Sequence, residues 1–308
     1  MCATAVSESH AAEVPAYLVI EGEPAVPMLG LETVWFQITG TLCNLTCSHC
    51  FVESSPRNHT HEFMTLDQVR HSIAEAVREG VRDFGFTGGE PFIHPQIIDV
   101  LALALEAAPA LVLSNGTLFT AKMARRLRAL VDQAPHPLDI RVSLDGDTAA
   151  QHDAVRGEGA FDRAIQGLRQ LIAAGLAPSV ATTATWQGVS ACEIERRMRT
   201  LMASLGAPGA AVRIFPPILI GAEAKRLRPY RATERLTPKC VERADPRKLM
   251  CSNSRLITER GTWVCTLLAN VEEARMGDSL AESLRPHRLT HGACYTCFTQ
   301  GVTCTQDR

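Results

Sequence analysis

From residue 33 onward the chain alternates short, β-rich apolar runs with longer amphipathic stretches, and nothing else in it narrows the fold so far. The runs TVWFQIT, RDFGFTG, ALVLSNG, DIRVSLDG, PSVATTAT and AVRIFPP have the length and the β-branched or aromatic content of buried strands. Between them, residues 67–79, 96–107, 120–132, 161–174 and 191–204 read as helices. In LDQVRHSIAEAVREG the apolar residues recur at three- and four-residue spacing, and Gly80 supplies a stop. Six such units predict an α/β fold with parallel strands, a partial (β/α)6 TIM-like barrel over residues 33–220. Functional groups then belong at the C-terminal ends of the strands.

The flanks lack this rhythm. Residues 1–32 contain Pro15, Pro24 and Pro27 and read as an N-terminal arm or small hairpin. After Pro217 the alternation stops, and 221–249, charged and broken by Pro229, Pro238 and Pro246, reads as a linker before a cysteine-rich domain over 250–308. At 308 residues, 46% hydrophobic and 21% charged, the chain fits an ordinary globular protein of one barrel with an appendage. No apolar run is long enough for a membrane span, and MCATAVSESHAAEVP lacks the basic and apolar regions of a secretory signal. A cytoplasmic location is expected. A formal charge of −2 gives no global reason for nucleic-acid or membrane partners.

Eleven cysteines are many, and their spacings are those of metal sites rather than of disulfides. Cys43, Cys47 and Cys50 form a C-x3-C-x2-C triplet in GTLCNLTCSHCF, after the first strand run. A [4Fe–4S] cluster takes four cysteine ligands, so three leave one iron open, and an open metal position marks a reactive site. A zinc knuckle completed by His49 is the competing reading. Cys2 and Cys192 stand apart as bystanders.

About forty residues on comes GFTGGEPF, with Gly88, Gly89, Glu90 and Pro91. The triplet and this stretch, in this order, resemble the radical SAM superfamily. The resemblance implies a [4Fe–4S] cluster with S-adenosylmethionine at its open iron, and an electron donor such as flavodoxin or ferredoxin. It implies a 5′-deoxyadenosyl radical that takes a hydrogen atom from substrate. In that family GGEP contacts the methionine amino group. Here Glu90 would accept from the ammonium, with Gly88 and Gly89 letting the backbone approach. Ser114 and Asn115, ending the third strand, and Ser143 and Asp145, ending the fourth, are placed for amino or ribose groups. Arg156 could hold the carboxylate, and His49 and Phe51 would lie beside the adenine. The bland alternatives are a turn at Asn115–Gly116 and a helix cap at Asp145.

Six cysteines lie between Cys240 and Cys304. A cysteine, a hairpin-like run turning at Gly261, a second cysteine and a C-x2-C resemble the SPASM and Twitch extensions of this superfamily, which carry auxiliary clusters. Too few cysteines are present for two such clusters, so one auxiliary [4Fe–4S] cluster is expected. Cys265, Cys294, Cys297 and Cys304 would close it, whereas the Twitch likeness favours Cys251 with Cys265, Cys294 and Cys297. The spacing from Gly261 to Cys265 is one residue shorter than the usual pattern. A thiol left without iron could return a hydrogen atom to a substrate radical, as in radical SAM epimerases. Cys251 is the candidate catalytic donor, and its role as a ligand is equally open.

Fewer than forty-five residues precede Cys43, too few for the leader-binding domain common in peptide-modifying members. The leading expectation is therefore a small-molecule substrate, a carbohydrate or aminoglycoside, undergoing epimerisation or dehydrogenation in antibiotic biosynthesis, with Glu53 suited to a polycation. Modification of a ribosomal peptide, by thioether formation or oxidation, is the second reading. A metal-dependent RNA-binding module using Lys225, Arg226, Arg228, Arg231, Arg235 and Lys239 is the non-enzymatic one, less favoured than a solvated linker.

Overall fold

A computed structural model describes residues 16–242 and 244–302. The described residues open on a hairpin of β1 (Leu18–Ile20) and β2 (Glu23–Val26), turned by Glu21 and Gly22, both at positive φ. Strands and helices then alternate: β3 (Thr33–Gln37), α1 (Leu66–Arg78), β4 (Asp83–Thr87), α2 (Ile97–Ala107), β5 (Ala110–Ser114) and α3 (Ala121–Gln133). The series continues with β6 (Leu138–Ser143), α4 (Ala149–Arg156), α5 (Ala160–Ala173), β7 (Ser179–Thr183), α6 (Ala191–Ser204) and β8 (Val212–Phe215). All six expected strands are present, and β3 to β8 pair in parallel in sequence order, the partial barrel that the alternation predicts.

Local chemistry sets the helix starts. Thr65 and Gln68 close a reciprocal capping box on α1, and Thr120, Thr148 and Ser190 cap α3, α4 and α6 through their hydroxyls. Along β3 the side chains alternate between faces. Val34 and Phe36 join the core under the helices, with Phe84, Val112, Leu101 and Leu168. Trp35 turns to the other face and packs in a second core with Leu111, Leu256 and Trp263. Each fully buried side chain of this size contributes roughly 1.5–3 kcal/mol.

Beyond β8 come α7 (Gly221–Arg226), α8 (Pro238–Val241), β9 (Ser254–Thr258), β10 (Gly261–Trp263), β11 (Arg275–Gly277), α9 (Leu280–Ser283), β12 (His287–Arg288) and α10 (Gly292–Gln300). β9 pairs in parallel with β3, from Thr33↔Ser254 to Phe36↔Ile257, and β10 and β11 add antiparallel strands. The barrel strands and the tail hairpin thus form one nine-stranded sheet, and β12 joins the N-terminal hairpin on β2. Among the described residues of 221–249, exposed positions alternate with buried anchors, so the stretch is tied to the core rather than free. Leu236, Val241 and Leu249 are buried in the second core, and Lys225, Arg226 and Arg228 pair with Glu53, Glu223 and Glu234. Among the described residues no helix is long and apolar enough to cross a membrane.

Candidate active site

The loop from β3 to α1 carries Cys43, Cys47 and Cys50, and all three line one cavity at the C-terminal ends of the barrel strands. Main-chain N–H groups point at the sulfurs: Leu45 donates to Cys43 Sγ at 3.4 Å and Ser54 to Cys50 Sγ at 3.3 Å. The turn after β4 closes onto this loop. Glu90 N donates to Leu42 O at 3.0 Å, and a Cβ on Gly89 would sit 1.9 Å from that oxygen, so only glycine fits there. The glycine thus lets the two motif loops touch, and it also lines the cavity.

Burial pushes the Cys43 thiol up to about 12 and the Cys47 thiol to about 11. Thiolates here call for a metal's charge, which deprotonates a coordinating thiol outright. Among the described residues no group of three or more His, Cys, Asp or Glu side chains surrounds a single-ion position. A [4Fe–4S] cluster ligates each thiolate through a different iron, so its ligands need to share a cavity rather than a point. Soft donors, N–H groups aimed at sulfur and a shared cavity fit such a cluster.

Of the ten residues expected to bind S-adenosylmethionine, nine line this cavity: His49, Phe51, Gly88, Gly89, Ser114, Asn115, Ser143, Asp145 and Arg156. Glu90 does not. It is fully buried behind the wall, where Oε1 accepts from Ser114 Oγ at 2.9 Å and Phe92 N at 3.1 Å, and Oε2 from Asn115 N at 2.7 Å. Burial pushes its carboxyl up to about 7, against the lowering effect of those bonds. Its structural role is to hold the corner of Ser114 and Asn115 against the cysteine loop, where Asn115 Nδ2 reaches Asn44 Oδ1 at 2.8 Å.

On the facing wall Asp145 collects charge. Its Oδ2 lies 2.6 Å from Arg156 Nε and 2.9 Å from His49 Nε2, while Oδ1 accepts from Thr183 N at 2.7 Å. Burial works against its ionised form, but Arg156 and His49 outweigh this and hold it far below the usual carboxylate range. Among the described residues no group of three or more His, Cys, Asp or Glu side chains, His49 included, forms a single-ion site, which weighs against the zinc-knuckle reading. Arg156 uses only Nε in its bond to Asp145, so its Nη groups remain for a ligand carboxylate.

Sequence reasoning missed three contributors. His152 accepts from Asp145 N through Nδ1 at 3.1 Å, and burial pushes its imidazole down to about 4. Thr183 N holds Asp145, and Glu223 lines the cavity from α7. A histidine four residues before Arg156 on one short helix was the available signal. Glu53, proposed to attract a polycation, is exposed, pairs with Lys225 and does not line the cavity.

The tail thiols gather elsewhere. Cys251, Cys265, Cys294 and Cys297 are all buried and line a second, small cavity with Leu249, Met250 and Leu267. Burial pushes Cys251 well above the ordinary thiol range, and neighbouring Cys265, Cys294 and Cys297 push it further. None of the four lines the larger cavity, although Leu267 lines both. Cys304 lies outside the described residues.

A family model described as the radical SAM superfamily matches residues 38–201, more than half of the chain. An AdoMet-dependent heme synthase of Nitratidesulfovibrio vulgaris is 35% identical over 167 residues, 54% of this chain and 42% of that one. The mycofactocin maturase MftC of Mycobacterium tuberculosis is 35% identical over 136 residues, 44% of this chain and 33% of that one. AlbA, a Bacillus subtilis protein of subtilosin biosynthesis, is 30% identical over 141 residues, 45% of this chain and 30% of its own. The chain spans less than half the length of these relatives. Among solved structures, anSMEcpe with bound AdoMet superposes with a TM-score of 0.54 at 14% identity, covering 82% of this chain and 77% of that one.

Proposed function

The chain belongs to the radical SAM superfamily, and on that premise we propose that it oxidises an uncharged, partly apolar group, such as a peptide side chain. Its cofactors are a [4Fe–4S] cluster, S-adenosylmethionine and an auxiliary [4Fe–4S] cluster, and it draws on an external electron donor. When bound, these groups supply a 5′-deoxyadenosyl radical that takes one hydrogen atom from substrate, and a sink for the electron that leaves with a proton.

The protein's part is to hold and enclose. Cys43, Cys47 and Cys50 would hold the first cluster, and Arg156, Asn115 and Ser114 face the space beside it. Cys251, Cys265, Cys294 and Cys297 would hold the second. The observation that carries the reading is this last foursome. With four buried thiols around one small cavity, Cys251 is a ligand rather than a hydrogen donor to the larger one. Epimerisation through Cys251 loses its donor, and oxidation gains its electron sink.

The cavity wall supports the substrate class. Its charged groups are matched within the protein, Asp145 to Arg156 and His49, and Glu223 to Arg226 by two bonds of 2.6 and 2.7 Å. The remainder includes Phe51, Val52, Phe215, Pro217 and Ile218, which suits a neutral ligand better than a polycationic aminoglycoside. Two of the relatives carry names of maturation or bacteriocin biosynthesis, which favours a peptide.

The test is Cys251→Ala, purified anaerobically, beside turnover in deuterium oxide. The variant is expected to keep only one cluster's iron, and wild-type product to carry no solvent deuterium at the reacting carbon. Retention of both clusters by the variant, or deuterium on that carbon, restores the epimerase reading. Peptides rather than aminoglycosides are expected to stimulate formation of 5′-deoxyadenosine.

A further inference from the structure

We propose that Arg255 is the fixed counter-charge of the auxiliary cluster and sets its reduction potential. The inference rests on the ligand set just proposed and concerns a residue outside it. Arg255 lies on β9 and is fully buried. Its guanidinium donates only to main-chain carbonyls: Nε to Ser283 O at 2.9 Å, Nη1 to Cys251 O at 2.8 Å and to Ser254 O at 2.7 Å, and Nη2 to Arg285 O at 3.0 Å. Among the described residues no carboxylate pairs with it.

A buried cation without a counter-ion is costly, and carbonyl dipoles compensate it only in part. The surroundings make the imbalance worse, because Arg285 adds a second positive charge that acts on the first. The groups that would supply negative charge to it are the buried Cys251 and Cys265, whose sulfurs act on the guanidinium. Four thiolates on a [4Fe–4S] core would bring net negative charge to this spot. The arginine and the cluster thus answer each other's burial. A polar anchor serving only the backbone turns would need hydrogen-bond donors and no permanent charge.

The consequence is directional. One-electron reduction makes the cluster more negative, and a cation held beside it favours that state, so Arg255 raises the potential. A raised potential suits an electron sink for substrate oxidation. Arg255 touches neither substrate nor the reacting atoms in this scheme. It is a positioning residue.

The experiment compares wild type, Arg255→Lys and Arg255→Met as anaerobically reconstituted full chains. Readouts are iron per chain and the midpoint potential of the auxiliary cluster, followed by electron paramagnetic resonance. Loss of the charge in Arg255→Met is expected to disfavour reduction at least tenfold, about 59 mV for one electron, or to cost the auxiliary iron altogether. Arg255→Lys, which keeps the charge and loses the planar fork, is expected to retain both iron and potential. The potential of the first cluster should stay unchanged in both. Lysine behaving like methionine in either readout overturns the proposal, as does a methionine variant with wild-type iron and potential. A wild-type chain holding iron for one cluster, or Cys251→Ala holding iron for two, would sink the ligand assignment instead, which keeps the two failures apart.

Discussion

Glu90 organises the site from behind the cavity wall rather than from its surface. Three donors converge on one buried carboxylate, from the ends of two adjacent units, β4 and β5. Burial raises its pKa from 4.5 to about 7, so the folded state holds the proton more tightly than the unfolded chain does. The stabilisation from protonation is therefore complete below about pH 4.5 and lost as pH climbs through about 7. It amounts to roughly 3 kcal/mol at about 1.4 kcal/mol per unit. Glu90→Gln removes the titration and, with one oxygen for three donors, leaves a buried donor unmet at a cost of about 1–3 kcal/mol. Urea unfolding under anaerobic conditions, without S-adenosylmethionine, should show the advantage of wild type over Glu90→Gln shrinking from pH 4.5 to pH 8 until it closes or reverses. A gap constant across that window would mean that Glu90 does not titrate there. The GGEP stretch marked this residue in the sequence, but not the direction it faces. That direction follows from Ser114 and Asn115, brought to it by strand pairing, which a linear motif does not encode.

Among the elements, α7 decides more than its six residues announce. Ala222 N donates to Cys50 O at 3.0 Å, and a Cβ on Gly221, at φ +57°, would lie 2.4 Å from Phe51 O. The helix therefore sits directly on the cysteine loop and closes that side of the cavity with Glu223. Gly221→Ala forces a non-glycine residue into the left-handed region against a main-chain oxygen, at an expected cost of about 2 kcal/mol. It should also hasten iron loss from the first cluster, followed by the fading of its visible absorption in the presence of a chelator. Lys225→Ala removes an exposed ion pair on the same helix and should cost less than about 1 kcal/mol, with iron retention unchanged. Equal iron loss from the two variants would show that α7 does not clamp the loop. Periodicity explains what the sequence disclosed at this scale. The strands and the long helices repeat their apolar pattern several times over. The short helices α4 and α7 complete barely two turns, too few to establish a period, and Arg156 and Glu223 enter the site from these two.

In the whole molecule the barrel and the tail share backbone hydrogen bonds, so the strands beside the two sets of cysteines belong to one sheet. The pairing of Thr33 with Ser254 joins residues more than two hundred positions apart, so no local signal foretells it. The sequence separated the tail by its cysteines, while the apolar faces of Trp35, Leu256 and Trp263 merge it with the barrel interior. Removing residues 250–308 would turn β3 from an interior strand into an edge and uncover Trp35 and Leu111. Such an edge beside an apolar face favours association between chains. The truncated chain is expected to elute in the void volume in size-exclusion chromatography, with strong binding of a hydrophobic dye, and to lose the first cluster along with the second. Cys251→Ala in the full chain should lose the second cluster alone, because the β9–β3 pairing does not depend on that thiol. A truncated chain that unfolds cooperatively and keeps the first cluster would instead show that the barrel stands without the tail. The shared sheet would then be a docking contact between separately stable parts.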